Sequence, residues 1–198
     1  MKEHPKQNST ERYFTLRSYF RSRFGAEKVN KVSLNSGLGC PNRDNNGNGC
    51  IFCQPKTLIP RDHIEDWSIT QQLKAGIEKV GKRDKVTRLI AYLQIDTNTN
   101  APIDELRTLY NEATDDPLIA GLAISTRPDC VAEPVMELMA EFAEKGEFWL
   151  ELGLQSANNK TLKRINRGHL AEEFVDAVLR AAKHNIKVCA HIILGLPG

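Results

Sequence analysis

Five short apolar runs punctuate the chain: VNKVSL at 29–34, RLIAYLQI at 88–95, PLIAGLAI at 117–124, FWLELGL at 148–154 and KVCAHIIL at 187–194. Each is rich in aliphatic residues and bounded by turn-forming ones, a pattern that predicts strands buried on both faces, as in a parallel sheet. Between the runs, apolar positions recur at helical spacing over about 68–81, 102–114, 131–146, 158–166 and 170–184. Pro102 and Pro134 stand where a first helical turn accepts proline. From the second run to the fourth the period is about thirty residues, the size of one βαβ unit. The chain therefore reads as α/β, a succession of βα units, and closure into a partial or complete (β/α) barrel is favoured over a flat doubly wound sheet. Ahead of the first strand, a helix over about 9–24 puts Tyr13, Leu16, Phe20 and Phe24 on one side, with Arg12, Arg17 and Arg23 largely elsewhere. That helix is expected to pack over the sheet.

Alternation along the strands decides which side chains face inward. In LELGLQ, Leu150, Leu152 and Leu154 share one face and Glu151, Gly153 and Gln155 the other. With the leucines against the helices, the inner set holds Glu151 and Gln155. The same rule adds Tyr92, Gln94 and Asp96 from the second strand, Ser125 and Arg127 from the third, and His191 from the fifth. A barrel core is ordinarily filled by branched apolar side chains, so a polar interior toward the C-terminal strand ends predicts a binding cavity. The competing reading is a network of buried polar groups that satisfy one another.

The candidate chemistry lies just after the first strand, in CPNRDNNGNGCIFC, where Cys40, Cys50 and Cys53 stand close in sequence. A structural zinc site wants four ligands, whereas an iron–sulfur cluster held by three thiolates keeps one iron open to a small molecule. Cys130 or His63 could complete a zinc site, which keeps that alternative open. An odd count of five cysteines and the lack of an apolar signal segment argue against a disulfide framework. Cys130 and Cys189 read by default as buried apolar thiols. The sequence carries no membrane span, and a cytoplasmic location is expected. Its net charge of +2 hides segregation. Residues 1–31 carry eight Lys/Arg against three Asp/Glu, and residues 100–151 carry twelve Asp/Glu against three Lys/Arg. Such asymmetry can orient an anionic partner such as a nucleic acid, or simply mark solvated helix faces.

A first strand, three cysteines on a glycine-bearing loop with an aromatic residue before the last, and then βα repeats resemble the radical S-adenosylmethionine (radical SAM) superfamily. The nine residues between Cys40 and Cys50 depart from its commonest, shorter spacing. That spacing, with GCPNRD, TNTNAP, STRPDC, LELGLQSA, LKRINRGH and HIILGLPG, resembles the YhcC/YtqA-type proteins of the superfamily, and more distantly the radical SAM domain of the Elongator catalytic subunit.

The resemblance implies a partial (β/α) barrel in which Cys40, Cys50 and Cys53 hold a [4Fe–4S] cluster, with S-adenosylmethionine chelating the open iron. An external electron donor would feed the cluster, and cleavage of the sulfonium would yield a 5′-deoxyadenosyl radical that abstracts hydrogen from a substrate. Gly47 and Gly49 suit a cluster loop, and Phe52 matches the aromatic position near the adenine. By similarity to oxygen-independent coproporphyrinogen oxidase, Gln155 falls on a ribose-binding glutamine and Arg167 on an arginine that binds the methionine carboxylate. His191 replaces a ribose-binding aspartate, and Thr97 is the expected contact for the methionine amino group. The superfamily's barrel continues to a sixth strand, whereas Gly195-Leu196-Pro197-Gly198 reads as the end of a fifth, so residues 1–198 are expected to be a core domain truncated after its fifth strand. The substrate itself is not readable from the sequence: tRNA is one hypothesis, and a small molecule or peptide is the other. The alternative to an enzyme is a non-catalytic iron–sulfur or zinc module that binds RNA.

Overall fold

The computed structural model describes residues 12–43, 49–54, 57, 67–83 and 86–197. His63 and Gly47, named above, lie outside the described residues. Helix α1 (Leu16–Phe24) precedes strand β1 (Val29–Leu34). Four βα units follow: α2 (Ile69–Arg83) and β2 (Arg88–Leu93), α3 (Ile103–Thr114) and β3 (Ile119–Thr126), α4 (Glu133–Lys145) and β4 (Glu147–Gln155), then α5 (Asn159–Arg164), α6 (Ala171–Lys183) and β5 (Val188–Ile192). A 3-10 turn, Pro128–Cys130, leads into α4. The strands pair in chain order, β1-β2-β3-β4-β5, and every pairing is parallel. This is a partial (β/α) barrel, the architecture expected from the repeat.

The two faces of the sheet divide as the alternation requires. Leu34, Leu93, Ile124, Leu150 and Leu152 pack outward against Leu106, Tyr110, Met136 and Phe142 of the helices in one apolar core. The inner face carries a second, smaller cluster: Val29, Ile90, Tyr92 and Ala123, closed from below by Phe20 of α1. Phe20 stacks on Trp149 with ring centroids 5.9 Å apart. Helix α1 therefore plugs the N-terminal end of the interior. Its start differs from the expected span: Thr15 caps it, accepting from the Ser18 amide at 3.0 Å, so Arg12–Phe14 precede the helix. Tyr13 and Leu16 consequently remain largely exposed while Phe20 is buried.

Two strand boundaries also move. Strand β2 ends at Leu93 rather than residue 95: the chain bends at Ile95, ahead of a left-handed Asp96 (φ 68). Strand β3 runs 119–126 rather than 117–124, because Asp116–Leu118 form a turn in which Asp116 Oδ1 accepts from the Leu118 amide at 2.9 Å. Gly121 then lies so close to β4 that an added Cβ would sit 2.0 Å from the Glu147 carbonyl oxygen.

Glu147 anchors α1 to the barrel floor. Its buried carboxylate accepts from Arg23 Nε at 2.8 Å, Trp149 Nε1 at 2.6 Å and Lys187 Nζ at 2.6 Å, and from the Tyr19 hydroxyl. Burial alone would push this carboxyl up, but the donors from Lys187, Tyr19, Arg23 and Trp149 prevail and hold it at about 2, against a usual value of 4.5. A depressed carboxylate contributes stability that is present above pH 4.5 and is lost as pH falls toward 2. Glu147→Gln is therefore expected to cost about 1–2 kcal/mol at neutral pH, a figure discounted because Arg23 and Lys187 are half exposed. It should also flatten the fall in stability between pH 4.5 and 2. Denaturant unfolding across that range is the measurement, and an acid limb that superimposes on the parent's would remove Glu147 from the account.

Candidate cluster and cofactor site

The loop after β1 carries the three cysteines to the C-terminal mouth of the barrel, and both of its sides are tied down. Toward β2, the Thr97 amide donates to Gly39 O at 2.9 Å and Asn100 Nδ2 to Leu38 O at 3.0 Å. Toward α5, the Ile51 amide donates to Ile165 O at 3.1 Å and Asn166 Nδ2 to Gly49 O at 3.0 Å. Helix α5 holds that second side because Asn158 caps it, its Oδ1 accepting from the Lys160 amide at 2.9 Å. After α5 the chain turns sharply through left-handed Asn166 (φ 54) and Gly168 (φ 79), and this places Arg167 between cysteine loop and sheet.

A cavity of about 340 Å³ opens there. Cys40, Cys50 and Cys53 line it together with Phe52. Thr97, Gln155, Arg167 and His191 line the same cavity, so every residue singled out for cluster or cofactor faces one space. Gln155 enters it because β4 breaks register between Gly153 and Gln155 and Gln155 adopts φ 66. A Cβ at Gly153 would lie 2.6 Å from both Arg167 Nη2 and Gln155 Nε2, so glycine makes room for both side chains. Arg167 is buried; its Nη2 donates to Gly153 O at 2.7 Å and its Nη1 lies 3.6 Å from Cys50 Sγ. The side chain thus points to the cavity, and the turn at the end of α5 is closed instead by the Arg167 amide on Leu162 O.

The interior polar groups split into two layers. The deeper one satisfies itself. Glu151 accepts from His191 Nε2 at 2.8 Å and from Lys31 Nζ, and Lys31 lies 4.2 Å above the Tyr92 ring. Burial pushes Glu151 up, but His191, Lys31 and Tyr92 outweigh it and hold the carboxyl at about 2. The Cys189 sulfur and the Glu151 carboxylate raise His191 to about 9 against its burial. The default picture of Cys189 as an apolar core thiol is therefore incomplete, since it stands beside a cationic imidazole on the interior face. This layer matches the self-satisfied network.

The upper layer does not satisfy itself. Among the described residues, four buried side-chain atoms lack any hydrogen-bond partner: Arg43 Nε, Thr97 Oγ1, Arg127 Nε and Arg167 Nε. All four residues line the cavity. Arg43 is paired with Asp96, and Arg127 with Asp129 at 2.8 Å. Arg127 also donates to Arg167 O at 2.9 Å. Asn42 and Arg43 were not singled out from the sequence, although they directly follow the first cysteine and its proline. Cys130 lies half-buried beyond the cavity lining, and burial with Asp129 pushes its thiol up to about 11. Among the described residues no three His, Cys, Asp or Glu side chains converge on a single-ion site, and no helix is long and apolar enough to cross a membrane.

Comparison with known proteins places this geometry. Residues 34–198 match the Radical SAM superfamily. The YhcC protein of Escherichia coli K12 is 41% identical over 179 residues, covering 89% of this chain and 56% of YhcC. A tRNA uridine(34) acetyltransferase from Methanocaldococcus infernus is 36% identical over 78 residues, covering 39% of this chain and 14% of that protein. Among solved structures, the Elp3 of Methanocaldococcus infernus superposes with a TM-score of 0.64 at 20% identity, over 87% of this chain and 39% of that one. The chain belongs to the radical SAM superfamily, and it spans about half the length of the curated YhcC relative it matches.

Proposed function

We propose that this chain is the core of a radical SAM enzyme, with Cys40, Cys50 and Cys53 as ligands of a [4Fe–4S] cluster and S-adenosylmethionine in the cavity beside it. The observation that carries the proposal is the coincidence of three thiols and four unpartnered buried polar atoms around one space. Orphaned buried polar groups are costly, and a polar ligand relieves the cost. The donor set fits. Arg167 offers a guanidinium to the methionine carboxylate, Thr97 a hydroxyl to the amino group and Gln155 a hydrogen bond to the ribose, while His191, held by Glu151, lines the wall beside it. Phe52 lies at the adenine end. When bound, cluster and cofactor supply one-electron cleavage of the sulfonium and a 5′-deoxyadenosyl radical that takes a hydrogen atom from the substrate. This chain's own part is to fix the cofactor between β4 and the cysteine loop, and to shield the cavity from below with the Lys31–Glu151–His191 layer.

For the substrate we propose tRNA. The named activity of the acetyltransferase relative and the basic N-terminal region support it. Anaerobic reconstitution should give about four irons and four sulfides per chain, and with a strong reductant the protein should convert S-adenosylmethionine to 5′-deoxyadenosine. Unfractionated tRNA added to the same preparation should bind with an affinity that falls steeply with salt. Stoichiometric zinc without iron would sink the cluster reading. Iron loading with cofactor cleavage but no tRNA retention would leave the core reading intact and turn the substrate toward small molecules or peptides.

A further inference from the structure

The three cysteines are not equivalent. Cys53 is exposed and Cys40 half-buried, whereas Cys50 is buried and receives two nitrogen donors. Asn42 Nδ2 lies 3.3 Å from Cys50 Sγ, and Arg167 Nη1 lies 3.6 Å from it. The amide orientation of Asn42 is set by its surroundings: the same nitrogen donates to Asn166 O at 2.8 Å, where a flipped amide would press oxygen against oxygen. Its oxygen rests over Gly168, where a Cβ would come within 2.0 Å. The left-handed turn at Asn166 and Gly168 thus holds the donor on the sulfur.

We infer that Asn42 is a positioning residue for electron transfer, whose amide donates to the Cys50 thiolate and raises the reduction potential of the cluster that Cys50 would hold. The inference rests on the proposed cluster. Reduction adds negative charge that is shared with the ligand sulfurs, and an N–H donor stabilises that charge more in the reduced form than in the oxidised one. Removing the donor therefore makes the cluster harder to reduce. The effect belongs to the Cys50 corner of the cluster, the corner nearest Arg167.

The test is a potentiometric titration of the reconstituted cluster in the full chain, followed by its spectroscopic signal in the absence of S-adenosylmethionine. Asn42→Leu, similar in shape but without a donor, is expected to shift the reduction equilibrium about tenfold toward the oxidised form, a fall of about 59 mV for one electron, with iron content unchanged. Asn166→Gly keeps the left-handed turn and removes the tether to Gly49 O without removing a donor to sulfur; it should shift the same equilibrium less than about twofold. Should Asn42→Leu hold less iron than the parent, Asn42→Ala, which removes the amide without adding bulk, carries the same test. An unshifted potential in the Asn42 variants, or an equal shift in Asn166→Gly, overturns the inference while the cluster stands. An unmodified protein that assembles no iron–sulfur signal overturns the cluster reading itself.

Discussion

Cys50→Ala is expected to abolish cluster assembly, leaving well under one iron per chain where the unmodified protein holds about four. The reason is geometric as well as chemical. Cys50 is the buried member of the trio, and its sulfur is the acceptor that Asn42 and Arg167 share, so the variant removes both a ligand and that shared acceptor. Cys40→Ala and Cys53→Ala should also lose most of the iron, but their sulfurs lie nearer solvent, and the loop around them should keep its ties to Ile165 and Asn166. Cys130→Ala is the informative control. Its thiol lies off the cavity, so iron content should remain at the parent's level. Iron and sulfide analysis after anaerobic reconstitution reads all four variants. Loss of metal in Cys130→Ala as complete as in Cys50→Ala would mean that the site is a four-ligand one.

The sheet was legible because its residues obey one rule twice over. Leu150 and Leu152 could only face the helices, which forced Glu151 inward, and the neighbouring strands agreed, whereas Gln155 reaches the cavity through the register break at the strand end. The same rule overran at Asp96, where a left-handed residue ends the alternation yet still delivers its side chain to the cavity through Arg43. Glu147 escaped notice for a related reason. It stands one residue before the span assigned to β4, and its partners come from α1 and from Lys187, distant in sequence. Nothing in a local window shows that four donors converge on it. Asn42 was hidden differently, since its role depends on a turn at Asn166–Gly168 more than a hundred residues downstream. Asn98 is a third case: it joins Ser36 of the cysteine loop to Leu93 O and Ser125 O, and a lone asparagine in TNTN carries no local sign of that duty. Periodicity finds elements and faces; long-range polar contacts need the fold.

Arg167→Ala is expected to weaken S-adenosylmethionine binding by roughly ten- to a hundredfold, since a charge-assisted hydrogen bond is worth about 1.5–3 kcal/mol and each 1.4 kcal/mol is tenfold. The structure sharpens the expectation. The guanidinium is buried and already oriented by Gly153 O, with its Nε unpartnered, so little ordering cost is left to meet when a carboxylate arrives. Arg167→Lys keeps the charge but cannot span Gly153 O, the Cys50 sulfur and a carboxylate at once, so it should recover only part of the loss. Gln155→Ala should act more mildly, because a neutral contact to a ribose hydroxyl is worth about 1 kcal/mol. Anaerobic titration calorimetry against the reconstituted cluster measures the three, with iron content as the check that the site has assembled. If Arg167→Ala takes up full iron and binds the cofactor as tightly as the unmodified protein, the arginine serves only to brace the β4 end against the cysteine loop, and the carboxylate must be held by another of the cavity's cations, Arg43 or Arg127.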